Sequence, residues 1–104
     1  MSINYNVKTV TTTPYTITND DELIFSAITA LSPSSIILPN FTGTGNTGRT
    51  YIIKDSAGQS KTNPITITAQ SGKTIDGASF AILNTPYSRV WITYDGSNWK
   101  TTSI

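Results

Sequence analysis

Apolar residues in this chain arrive in short packets that alternate with polar ones, and nowhere at the i, i+3, i+4, i+7 spacing of a helix. Pro64-Ile65-Thr66-Ile67-Thr68 is the clearest packet: Ile65 and Ile67 fall on one face and the threonines on the other. Similar packets, each bounded by Gly, Pro, Asn, Asp or Ser, predict strands over residues 5–10, 15–18, 23–26, 35–38, 50–55, 65–68, 79–83, 89–94 and 99–102. In residues 89–94, Val90, Ile92 and Tyr94 face one way and Arg89, Trp91 and Thr93 the other. Large side chains on both faces predict a strand covered on both sides. A short helix has room near residues 27–31.

Turn chemistry organises these strands. Asp95-Gly96-Ser97-Asn98 predicts a hairpin between the last two, because Asp-Gly supplies the positive φ that tight hairpin turns require. Asp55-Ser56-Ala57-Gly58 closes another strand, and Asp76-Gly77 marks a sharp bend. Residues 56–63 read as a surface loop, and residues 40–48 as the longest flexible one. There is no long linker and no internal repeat. The fold class expected is all-β: a compact antiparallel β-sandwich, jelly-roll-like, with short strands joined by Gly, Asn and Asp turns. Residues 14–104 form the sandwich, and residues 1–13 are an N-terminal arm or its first strand.

Composition removes several function classes. The chain has 104 residues, enough for one domain with one core. Charged residues are only 12 %, yet 37 % of positions are hydrophobic and regularly placed, which argues for a folded chain rich in Thr, Ser and Asn. Seven basic residues against six acidic are scattered, so no nucleic-acid face and no polybasic membrane anchor is expected. No apolar run approaches the ~20 residues of a spanning helix, and the first residues lack a signal-peptide pattern.

With no His and no Cys, a Ser-His-Asp triad, a thiol nucleophile and a zinc site of those ligands are all impossible. The acidic run Asn19-Asp20-Asp21-Glu22 offers oxygen ligands for a hard cation, or else a polar turn feeding the next strand. The turn is favoured, because successive strand side chains point to opposite faces. Asp55, Asp76 and Asp95 each accompany a Gly-containing turn, their ordinary structural use, so no enzyme activity, cofactor or metal is expected. Gly43-Thr44-Gly45-Asn46-Thr47-Gly48 matches the dinucleotide fingerprint but leads into a strand instead of a helix, which removes its meaning. The aromatics Tyr87, Trp91, Tyr94 and Trp99 remain; they suit a core, a subunit interface or a sugar-stacking platform.

The ordered set of segments adds a resemblance. Residues 15–24 (Tyr15-Thr16-Ile17-Thr18 leading into the acidic run), Ile36-Ile37-Leu38-Pro39, Gly48-Arg49-Thr50-Tyr51-Ile52-Ile53-Lys54-Asp55, residues 63–68, Thr74-Ile75-Asp76-Gly77-Ala78 and residues 90–99 recur in that order. This resembles a small β module of tail fibres, tailspikes, head fibres and capsid decoration proteins of tailed bacteriophages and some large DNA viruses. The resemblance implies a virion structural protein, a sandwich that assembles as a homotrimer, and no catalytic set. In fibres such a module is one piece of a longer chain, whereas this sequence runs from Met1 to just past its last strand. The expectation is therefore a capsid decoration (cement) protein bound to the major capsid protein or another virion protein. A tail-fibre, tailspike or head-fibre module is the alternative, and a carbohydrate-binding sandwich the rival from another class. The partner-binding residues expected are Ile3, Tyr5 and Val7, which alternate onto one side of the arm, together with Trp91 and Trp99.

Overall fold

The computed structural model describes residues 5–29 and 34–103. Ile3 lies outside them. Nine strands appear in the predicted order: β1 (Val7–Val10), β2 (Tyr15–Thr16), β3 (Leu23–Ser26), β4 (Ser34–Ile37), β5 (Thr50–Asp55), β6 (Ile65–Thr68), β7 (Phe80–Leu83), β8 (Arg89–Tyr94) and β9 (Trp99–Ser103). They form a five-stranded sheet, β1-β3-β5-β8-β9, and a four-stranded sheet, β2-β4-β6-β7. No described residue is helical, and residues 27–29 belong to no regular element.

The all-β sandwich is as the alternation predicts, but its sheets are mixed and not antiparallel. From β1 to β6 the chain crosses to the opposite sheet after every strand. Each strand therefore lies parallel to the one two before it: β1 with β3, β3 with β5, β2 with β4 and β4 with β6. This segment is three turns of a flattened coil. Antiparallel pairing begins at β6–β7 and includes β5–β8 and β8–β9. A Gly or Asp turn reverses the chain either within one sheet or from one sheet to the other, and residue types alone do not distinguish the two.

Alternation decides what the sandwich buries. Ile24, Ile36, Ile53, Ile67 and Ile92 are fully enclosed, each on the inward face of its strand. At one end sits an aromatic cluster. Trp99 packs against Phe41, Tyr51 and Tyr94, with ring centroids 5.7, 6.0 and 5.2 Å away. Such tilted and offset pairs add about 0.5–1.5 kcal/mol each beyond their burial. Phe41, only 4 % exposed, anchors the loop after β4, and the Tyr94 hydroxyl donates to the carbonyl of Gly43. Residues 40–48 are thus tied to the core at two points, where composition suggested a free loop. Strand β8 is buried on one face only: Val90, Ile92 and Tyr94 point inward, while Arg89 and Trp91 remain exposed.

The turns predicted at Asp95 and Asp76 appear. Asp95 and Asn98 close the β8–β9 hairpin through Asp95 N–H donating to the Asn98 carbonyl, with Gly96 at φ 100°. A Cβ at Gly96 would meet Thr47 Oγ1 at 2.9 Å, so the hairpin tip also packs on the loop below it. Asp76 and Gly77 have φ of 51° and 86°, and Ile75 and Ala78 exchange both backbone hydrogen bonds around them. Two positive φ values at the centre of a turn are those of a type I′ turn.

The indole N–H of Trp99 is enclosed without an acceptor among the described residues, which offsets part of the cluster's gain. Trp99→Ala should cost about 3–5 kcal/mol in a urea titration, because it empties the centre of that cluster. Trp99→Phe, which discards the orphaned donor and keeps a ring, should lose clearly less. Trp91→Ala, on the outer face, should be close to neutral. Equal losses at positions 91 and 99 would contradict this division of faces.

Candidate functional site

The strand register assembles one feature that no single segment carries. On the outer face of the five-stranded sheet, Val7 pairs with Leu23, Leu23 with Ile52, and Ile52 with Trp91. Four apolar side chains therefore form a row across four strands, spanning roughly 14 Å at the usual strand spacing. Ile52 is nearly covered, while Val7 is 54 % and Trp91 37 % exposed, so the row rises toward both of its ends.

Beside it runs a polar row. Thr50 Oγ1 donates to the carbonyl of Gly48 and shares a 2.8 Å hydrogen bond with Thr93 Oγ1. Thr93 lies 3.3 Å from Thr102 Oγ1, which also reaches the carbonyl of Trp91. The two rows meet in a groove of about 600 Å³ whose walls include Tyr5, Glu22 and Arg49. Arg49 is held in place: its guanidinium donates to the carbonyls of Asn19 and Asp21 and lies 5.3 Å from the Tyr51 ring centre. Glu22 Oε1 accepts the Asn6 N–H at 2.9 Å.

The residues expected to bind partners separate accordingly. Tyr5 and Trp91 line this groove, and Val7 stands at the far end of the same apolar row. Trp99 is fully enclosed, so its ring cannot meet a partner at the surface; Lys100 takes the outward position of that hairpin strand instead. Thr50, Thr93, Thr102 and Ile52 were missed, because only cross-strand register places them together. A smaller apolar surface lies on the other sheet, where Phe80 and Ile82 of the edge strand β7 are each 48 % exposed.

The carboxylates are occupied with structure. Asp21 accepts the Tyr15 hydroxyl and the Thr18 N–H, which closes the turn before β3. Burial, reinforced by that carboxylate, pushes the Tyr15 phenol up to about 12. Asp55, at the end of β5, accepts backbone N–H groups of Gly58, Gln59, Ser60 and Tyr87. It pins two loops at once, and Tyr87 lies so close over Gly58 that a Cβ there would fall 2.4 Å from its ring. Among the described residues no three carboxylates converge on a common point.

The domain is thus a thin two-layer slab, 38 × 37 × 22 Å, with the groove on the outer face of its five-stranded sheet. Residues 4–104 match the family described as Bacteriophage T4 gp9/10-like protein, N-terminal, and the chain belongs to that family. It is a structural component of the bacteriophage virion, in line with the resemblance carried by its segments. No curated protein matches the chain.

The carboxylates set the response to acid. Burial raises Asp55, but hydrogen bonds from Ser60, Tyr87 and Gln59 outweigh it and hold the group below its ordinary value of 3.8. Asp76 is lowered by its bonds from Thr101, and Asp95 by the N–H of Asn98, the Lys100 ammonium and the N–H of Ser97. In each case the unfolded chain binds more protons than the native one, so this stability is complete above the ordinary carboxylate range. It is lost as pH falls through the lowered values. Urea midpoints measured from about pH 5 down to about pH 2 should fall, and more shallowly in Asp55→Asn. At neutral pH Asp55→Ala should cost about 3 kcal/mol, since it strands buried N–H donors. A pH profile in Asp55→Asn matching that of the unaltered chain would refute the assignment.

Proposed function

We propose that this virion protein is a non-enzymatic capsid decoration module, attached as a homotrimer to the major capsid protein or another shell protein. The observation that carries this reading is the free edge of β1. The carbonyls of Asn6 and Val10 accept N–H groups of Leu23 and Ala27, on the β3 side. Strand alternation then turns the N–H and C=O of Val7 and Thr9 outward, where no described strand pairs with them. An open edge of this kind is a template for adding a partner strand. Exposed Tyr5 and Val7 beside it supply the side-chain contacts expected of the arm.

Low charge supports the same reading. Contact has to rest on backbone pairing, apolar burial and hydroxyl hydrogen bonds, so attachment should depend little on salt. An interface of about 800 Å² per partner is the usual size for stable attachment. Three copies meeting a local three-fold would gain avidity, because the later contacts become intramolecular. The description of the family as an N-terminal domain favours a second reading, in which the same fold forms the attachment end of a head or tail fibre.

Thr9→Pro removes one outward N–H and leaves the β3 side of the strand intact, a position where an edge strand tolerates proline. The variant should fold with a near-normal melting temperature and fail to bind undecorated particles. Full binding by it would sink the edge-addition mechanism. Light scattering should return three times the chain mass; a monomer at high concentration would refute the trimer. Immunogold labelling of intact particles separates the two readings, since label on the head shell favours decoration and label on a fibre the alternative.

A further inference from the structure

The groove on the outer face has a chemistry of its own, separate from the β1 edge. Its floor is a chain of hydroxyls in which each proton is already used. With the Thr50 proton on the Gly48 carbonyl, Thr93 donates to Thr50; with the Thr50 proton on Thr93, Thr93 donates to Thr102, and either way both protons are taken up within the ladder. Thr102 in turn gives its proton to Thr93 or to the Trp91 carbonyl. A hydroxyl has one proton and two acceptor lone pairs. The ladder therefore shows the groove acceptors, and a ligand has to bring the donors.

Charge narrows the ligand further. Arg49 and Glu22 stand on the same groove, of opposite sign, and each is already bonded to backbone groups. An anion would find the Arg49 guanidinium, but beside it a carboxylate and a row of acceptors. A cation would find one carboxylate and an opposing guanidinium. A neutral polyol finds acceptors for its hydroxyl protons, and beside them the half-exposed indole of Trp91. An aromatic face next to a few fixed polar groups suits a ring with one apolar face and a hydroxyl rim. The volume, about 600 Å³, lies within the usual range for small-ligand sites.

We propose that this groove binds a neutral oligosaccharide, stacked on Trp91 with its hydroxyls donating to the Thr50–Thr93–Thr102 ladder. The site leaves the outward backbone of β1 unoccupied, so glycan binding and edge attachment to the virion are compatible. Of the groove residues only Tyr5 also borders that edge.

The test titrates the intact protein with a panel of neutral gluco-, manno-, galacto- and N-acetylhexosamine oligosaccharides, followed by tryptophan fluorescence and ligand-detected NMR. At least one series should bind at up to millimolar concentration, with a change in tryptophan emission and no salt dependence. Trp91→Ala should weaken that binding about tenfold or more. Thr93→Val, which keeps the side-chain shape and breaks the ladder at its centre, should weaken it about fivefold to tenfold. Both variants should keep the melting curve of the unaltered protein, which separates loss of the site from loss of the fold. Absence of binding across the panel, undiminished binding by Trp91→Ala, or a preference for sulfated or uronate sugars would each overturn the proposal. So would loss of particle binding by Trp91→Ala with no sugar bound, which would assign the face to a protein partner.

Discussion

The whole domain depends on burying alternate side chains between two layers of very short strands. A four-residue strand places about two side chains inside, worth roughly 1.5–3 kcal/mol each when fully buried. Ordering its backbone costs roughly 1–2 kcal/mol per residue. A strand of this length therefore gains about as much as it loses, and no pair of them would persist alone. Stability appears only when successive turns stack and each inward isoleucine is covered by the next. The parallel coil from β1 to β6 provides that stacking, with Ile24 and Ile36 of one turn covered by Ile53 and Ile67 of the next. The aromatic cluster around Trp99 then closes one end.

Short strands impose a second requirement, since much of the chain must lie in connections whose polar backbone needs partners. The acidic residues meet it. Asp55 gathers N–H groups from two loops, Asp95 caps the last hairpin, and Asp21 closes the turn into β3. Asp76 bonds Thr101 through both its N–H and its hydroxyl, which ties the β6–β7 connection to β9. Four of the six acidic residues are thus used to hold connections in place, in a chain that carries little charge to spare. Their disposition at loops explains why no three of them assemble a metal-binding cluster among the described residues.

Residue patterns made the strands and turns legible because both are local properties. Ile65 and Ile67 alternate with threonine, and Asp95-Gly96 demands positive φ, whatever the rest of the chain does. Sheet membership was not legible. Whether β2 returns beside β1 or crosses to the other layer depends on which surfaces are left uncovered, a global matter. The antiparallel expectation failed on that point. Trp91 and Trp99 show the same limit at the level of single residues. Both sit in alternating strands, and alternation puts Trp91 opposite Val90 and Ile92, hence outward. Nothing local gives the direction of Trp99, because its neighbours in the hairpin are Asn98 and Lys100; Phe41 and Tyr51, far away in sequence, decide it.

The outer face illustrates why binding features are harder to read than folds. Thr50, Thr93 and Thr102 are ordinary strand threonines in sequence, each satisfying the preference of a β-branched residue for a pleated surface. Register alone turns them into a continuous hydrogen-bonded row, and the same register aligns Val7, Leu23, Ile52 and Trp91 next to it. A shift of one residue in either β5 or β8 would send the threonines inward and Ile92 or Ile53 out to solvent. Core burial strongly forbids that shift, because fully enclosed isoleucines would be exposed. The outer face therefore inherits its order from the inner one: the hydrophobic core fixes the register, and the register writes the surface. A protein with so few charges has little long-range electrostatic means of recognising a partner. The recognition proposed for it therefore rests on such fixed, short-range arrangements, a backbone edge on one side of the slab and a row of hydroxyls beside an indole on its face.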